Sequence, residues 1–108
     1  MIVYYATWKL EKQCTDPRLL RRTYGRNADR IKNRLVALDR ANSLADLQLT
    51  DPQGQWEALK ADRKGTWSGR ASKNERVIVR PHAIEPDTLI VEEVTVESVN
   101  TDYHDRGN

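Results

Sequence analysis

Ala28, Ile31, Leu35 and Leu38 recur at spacings of three and four, with Tyr24 one turn before them. That period places them on one stripe of an α-helix, and a helix apolar along one stripe must bury it against another layer. The partner layer comes later in the chain. Arg76-Val77-Ile78-Val79-Arg80 and the run from Thr88 to Val99 are rich in β-branched residues, while Ile2 to Trp8 alternates loosely in Tyr, Val and Thr. The pattern predicts an α+β fold: N-terminal helices packed on a small, mostly antiparallel β-sheet whose one face the long helix covers.

Local signals divide the chain. Lys9 to Cys14 favours a short helix, and Asp16-Pro17 starts another, with Asp16 as N-cap and Pro17 at the first helical position, where a missing N–H costs nothing. Gly25 interrupts that helix before the long stripe begins. Asn42 or Ser43 caps a further turn of helix through Leu47, Asp51-Pro52-Gln53-Gly54 is a turn, and Pro81 stops the strand that Arg76 opens. Another turn is expected at Ala83-Ile84-Glu85-Pro86-Asp87. Leu89 and Val91 share one strand face and Val94 and Val96 the other, so a bulge or bend at Glu92-Glu93 is expected to bring both pairs to one core.

A chain of 108 residues, 38% hydrophobic and 31% charged, suits one compact domain over 1–108 with a modest core. No run approaches the ~20 apolar residues of a membrane span, and the start lacks a signal-peptide pattern, so a cytoplasmic protein without membrane contact is expected. Cys14 is alone, and with His82 and His104 it forms no cluster at metal-ligand spacing; neither a metal nor a cofactor is expected.

Charge is distributed unevenly behind a net +2. Residues 17–40 hold eight Arg or Lys against two Asp, residues 55–80 seven against three acids, and residues 81–108 one against seven acids. Arg26, Arg30, Lys32 and Arg34 fall mainly off the helix stripe, toward water or a partner. Two basic blocks before an acidic tail are either solvated faces or a phosphate-seeking side. The second block holds the most distinctive stretch, Trp56 to Arg70. It reads as two short strands joined by a basic turn, with Leu59 and Trp67 as apolar anchors, Gly65 at the corner, and Lys60, Arg63, Lys64 and Arg70 supplying charge.

Leu59-Lys60-Ala61-Asp62-Arg63-Lys64-Gly65-Thr66-Trp67-Ser68 resembles the Leu-Lys-Gly-Asp-Arg-Lys-Gly-x-Trp-Ser segment of the killer-protein toxins, the HigB-type branch of the RelE/ParE superfamily, with Ala61 in place of the usual glycine. Asp102-Tyr103-His104 is similar to the Asp-Tyr-His ending of that family, and Arg76 falls at the arginine of its Trp-Arg-Ile pattern, although Glu75 precedes it here. The likeness covers nearly the whole chain. It implies the compact α+β fold of that superfamily and a toxin of a type II toxin-antitoxin pair that cuts mRNA in the ribosomal decoding site. It also implies a HigA-like helix-turn-helix antitoxin, and a toxin that is monomeric within a toxin-antitoxin hetero-oligomer.

Cleavage through the 2′-hydroxyl of RNA suits such a residue set, because the substrate brings the nucleophile. The protein must take one proton, stabilise charge on the phosphate and protonate the leaving 5′-oxygen. Lys60 and Arg76 are the expected catalytic cations, with Arg63, Lys64 and Arg70 binding RNA. By the resemblance, His104 is the acid or base, Asp102 orients it or acts as base, and Tyr103 stacks on or hydrogen-bonds the substrate. The family's histidine ahead of Leu-Lys falls at Trp56, which cannot exchange protons; this indole either stacks on a base or belongs to the core. That departure keeps a rival open: a non-catalytic binder of the same fold, such as a gyrase-inhibiting toxin or an inactive antitoxin-bound regulator.

Overall fold

The computed structural model describes residues 1–82 and 90–102, so the turn expected at 83–87 and the site residues Tyr103 and His104 lie outside the described residues. In chain order the elements are β1 (Ile2–Tyr5), α1 (Trp8–Thr15), α2 (Pro17–Tyr24), α3 (Ala28–Arg40), α4 (Leu44–Thr50), β2 (Glu57–Ala58), β3 (Trp67–Arg70), β4 (Arg76–Pro81) and β5 (Glu93–Asn100). The first strand is shorter than its sequence pattern. Thr7 leaves the extended run to cap α1, its hydroxyl accepting from the Leu10 N–H at 3.1 Å, so Trp8 opens a helix rather than closing a strand.

The other caps follow local chemistry. Asp16 Oδ1 accepts from the N–H groups of Arg18 and Leu19 at 2.9 and 3.3 Å, with Pro17 in the first turn. Gly25, at φ +60°, ends α2 in a conformation that a Cβ would oppose, and Ser43 rather than Asn42 caps α4.

Five strands form one sheet in the order β1-β5-β4-β3-β2. β1 joins the edge parallel to β5, and every other pairing is antiparallel. The helix stripe finds its expected layer: Ile31, Leu35 and Leu38 are buried in one cluster with Val77 and Val79 of β4, Val94 and Val96 of β5, Trp67 of β3, and Leu44 and Leu47 of α4. Each such side chain taken fully from water contributes about 1.5–3 kcal/mol.

Val91 and Val94 are both buried although they differ in strand parity, and β5 begins only at Glu93, so the chain bends rather than bulges at Glu92-Glu93; Leu89 lies outside the described residues. The ladder slips further on, where Ile78 pairs with Ser98 but Val79 pairs with Val96, leaving Glu97 as the extra residue. Strand parity reverses there, and Val99 therefore packs on the same core as Val94 and Val96.

Candidate functional site

Helices cover one face of the sheet, and the candidate residues gather on the other. Strand alternation with the observed register puts Glu57 of β2, Ser68 and Arg70 of β3, Arg76, Ile78 and Arg80 of β4, Thr95, Ser98 and Asn100 of β5 and Tyr4 of β1 on this open face. Leu59 and Ile78, 3% and 6% exposed, form a small apolar cluster apart from the main core and anchor the basic loop to this side.

The loop is a tight structure. Leu59 N–H donates to the Thr66 carbonyl at 2.9 Å, Arg63 N–H to the Lys60 carbonyl and Lys64 N–H to the Ala61 carbonyl, both at 3.1 Å, and the Thr66 hydroxyl donates to the Arg63 carbonyl at 2.6 Å. Lys60, Arg63 and Lys64 are thereby held exposed at one end of the open face. Gly65 sits at φ +95° as a corner glycine should, and Ala61 also takes a left-handed φ of +57°. A residue with a Cβ is strained there, which accounts physically for glycine at the equivalent place in the resembling motif.

At the other end, Arg70 and Arg76 stand directly opposite each other across β3 and β4, and Asn100 of β5 flanks Arg76. Opposed like charges weaken a sheet. Arg76 is fixed by its own turn, its Nη1 donating to the carbonyls of Ser72, Lys73 and Glu75 at 2.6, 3.2 and 3.1 Å. Asp102 leaves β5 at this end, exposed, with its N–H donating to Asn100 Oδ1 at 3.1 Å. The described residues therefore bring Arg70, Arg76 and Asp102 to one end, and Lys60, Arg63 and Lys64 to the other, about 16 Å away at the rise of a strand.

Trp56 is in the core. It is 4% exposed, so neither face of its indole is open to a nucleobase, and its Nε1 donates to Asp51 Oδ2 at 2.9 Å. A Cβ on Gly69 would strike the indole ring and one on Gly54 would strike its Nε1 edge, so two glycines make room for it. The alternative of a stacking platform at Trp56 is excluded by this burial.

The next residue was missed by sequence reasoning. Glu57 is exposed on the open face, opposite Ser68 and one strand from Ile78, which sets a carboxylate beside the loop that carries Lys60. Its signal was alternation: if Trp56 points inward, Glu57 points outward. Arg80 was missed too, and is tied to Glu97 through Nε–Oε2 at 2.8 Å and Nη2–Oε1 at 3.4 Å. His82 is exposed on this face, stacked on Tyr4 with ring centroids 5.3 Å apart and its Nε2 2.6 Å from Thr95 Oγ1. It lies six residues along from Arg76, about 20 Å, so it shares no site with Arg70 and Asp102.

Arg34 departs most from its expected place. It is 7% exposed, its Nη1 donating to the Arg70 carbonyl at 3.4 Å and its Nε 3.3 Å from Asp51 Oδ2. Helical geometry held the clue, since position 34 lies only about 60° around the helix from Ile31.

The described elements match solved structures along nearly their whole length. A YoeB/ParE toxin from Agrobacterium tumefaciens superposes with a TM-score of 0.55 at 19% identity, covering 95% of this chain and 100% of that one. The fold is that of the YoeB/ParE toxins. A YoeB-YefM complex from Staphylococcus aureus matches likewise, with a TM-score of 0.56 at 16% identity over 96% and 97% of the two chains. Both structures carry names of the YoeB and ParE type, not of the HigB branch that the sequence resembles. No protein-family model and no curated protein sequence matches the chain. Among the described residues no helix is long and apolar enough to cross a membrane.

Proposed function

We propose that the chain is the toxin of a type II toxin-antitoxin pair, a HigB- or RelE-like endoribonuclease that cuts mRNA on the ribosome. The observation that carries this reading is the open sheet face, where Arg70 and Arg76 stand opposite each other at the end that Asp102 leaves, on the fold of known toxins. Two guanidiniums at one end of the face suit a phosphate. Preorganised cations at a developing phosphorane are worth about 3–4 kcal/mol each, and the Arg76 guanidinium is already fixed by three carbonyls.

Proton transfer needs a base, and Trp56 supplies none. Glu57 does: an exposed carboxylate on the same face, between the arginine pair and the loop that carries Lys60, fits removal of the 2′-OH proton, and Lys60 binds the RNA backbone further along the face. By the sequence resemblance His104 is the acid or base, with Asp102 and Tyr103 beside it in the chain; with Glu57 as base, the role left to His104 is to protonate the leaving oxygen. In the cell, an antitoxin covers the basic face; the YoeB-YefM complex supports a partner of that kind, and the sequence resemblance a HigA-like one.

Purified protein added to programmed ribosomes, with mRNA ends mapped by primer extension, tests the reading. Cleavage is expected, and Glu57→Gln is expected to slow it by about 10²–10⁴-fold with the thermal transition unchanged. An intact message at stoichiometric protein would sink the enzyme. Burial of Trp56 where the resembling family has a histidine favours a second reading, a non-catalytic binder of the same fold. Growth arrest with supercoiling lost and mRNA intact would select it.

A further inference from the structure

Where the open face ends at Arg70, the surface turns into a cleft of about 170 Å³ between α3 and the end of β3. Its lining is Arg30, Asn33, Arg34, Gln53, Arg70 and Ala71, with no acidic side chain. Arg30 is exposed at its rim, Asn33 and Gln53 add amides, and Arg34 forms its wall while 7% exposed. The Arg34 Nε makes no hydrogen bond among the described residues. Asp51 Oδ2 stands 3.3 Å from it but is already engaged by the Trp56 indole, so the pair is an ion contact without a well-aligned hydrogen bond. Asp51, behind the wall, is paired with Arg34, and Arg30 and Arg70 leave the cleft an excess of positive charge. Arg30 also lines a second hollow of about 420 Å³, together with Arg26, Lys73 and the acidic Glu75.

We infer that this cleft is a phosphodiester seat that continues the RNA track from the open face around the sheet edge. Arg34 turns its Nε to Asp51 behind the wall and gives the cleft charge rather than that N–H; with Arg30, Arg70, the amides of Asn33 and Gln53 and no acidic side chain in the lining, the cleft is suited to an oxyanion with several acceptor oxygens. Arg70 links the two surfaces. By strand alternation it stands beside Arg76 on the open face, and it also lines the cleft. A chain lying between Arg70 and Arg76 therefore reaches Arg34 and Arg30 with its next phosphates. This inference rests on the RNA-binding reading above but not on cleavage.

The test is fluorescence anisotropy of a labelled 12-nucleotide single-stranded RNA between 50 and 200 mM salt, with three variants. Arg30→Gln is expected to reduce the salt slope by about 0.7, the share of one phosphate in single-stranded RNA. Asn33→Asp places a negative charge in the lining and is expected to weaken binding about fivefold, the effect of a unit charge ~4 Å from a phosphate in water. Lys32→Gln removes one charge from the same helix outside the cleft and should change neither as much.

Equal effects of Arg30→Gln and Lys32→Gln would overturn the inference, leaving only a diffuse basic field. So would unchanged RNA binding by Asn33→Asp alongside lost binding of a labelled Glu-rich decapeptide, which would make the cleft a seat for an acidic protein segment. Ribosomal mRNA cleavage is scored separately. A protein that leaves mRNA intact yet shows the Arg30 slope change loses the proposed activity and keeps the cleft; one that cuts mRNA without that change loses the cleft alone.

Discussion

Trp56→His exchanges a core indole for the residue that the resembling family carries at this position. A tryptophan buries ~150–250 Å², worth about 5 kcal/mol at 25 cal/mol per Å², and an imidazole recovers roughly half of that. Trp56 is 4% exposed, so nearly the full area is at stake, and the 2.9 Å hydrogen bond to Asp51 must be remade by a shorter ring. Cavity formation beside Gly54 and Gly69 adds to the loss, which puts the net destabilisation at about 2–4 kcal/mol. At ~4–8 °C per kcal/mol for a chain of this size, Tm should drop by about 8–32 °C. Thermal unfolding followed by far-UV circular dichroism measures it, with intrinsic fluorescence reporting loss of a buried indole. Gly69→Ala provides an independent approach to the same seat, because its Cβ strikes the unaltered indole, and should also lower Tm. A Trp56→His protein that melts within about 3 °C of the parent while cutting mRNA faster would refute the reasoning and return position 56 to the active surface.

Ala61→Gly should raise Tm by a few degrees, since releasing a left-handed φ of +57° regains ~1–2 kcal/mol less the added chain entropy of glycine. Lys60→Ala should abolish mRNA cleavage at unchanged Tm, whereas Arg76→Ala should lose both activity and about 1–2 kcal/mol of stability, because its Nη1 holds three turn carbonyls; Arg70→Gln is the cleaner probe of the arginine pair. Burial pushes the Cys14 thiol up to about 11, so iodoacetamide should modify the folded protein far more slowly than the urea-unfolded chain at pH 8. The unfolded thiol ionises first, near 9, so this contribution to stability is complete below that pH and is lost on the way to 11, about 1–2 kcal/mol after solvent screening. Tyr5 and Tyr24, each pushed up to about 12 chiefly by burial and then by the charge of Cys14, extend the loss above pH 10; a urea midpoint flat from pH 9 to 11 would contradict both assignments.

The sequence by itself determined the elements whose causes lie within a few residues. The stripe from Ala28 to Leu38, the Asp16-Pro17 start, the glycine stop at Gly25 and the basic turn before Trp67 each follow from one helical period, one cap or one backbone preference. The fold class was legible for the same reason, since a period of three to four followed by β-rich runs admits few layer arrangements. Tertiary structure alone decided the parallel seat of β1 beside β5, the bulge at Glu97 and which side chains occupy the open face. Trp56, Glu57 and Arg34 show why. The burial of Trp56 depends on space left by Gly69, thirteen residues away, and on a carboxylate at Asp51; Glu57 is turned outward by that choice; and Arg34 can be buried only because Asp51 and the carbonyl of Arg70, thirty-six residues distant, meet it. A charge or an indole carries no local signal of the partner that makes its burial tolerable, because desolvation is offset by groups that only folding brings within hydrogen-bond distance.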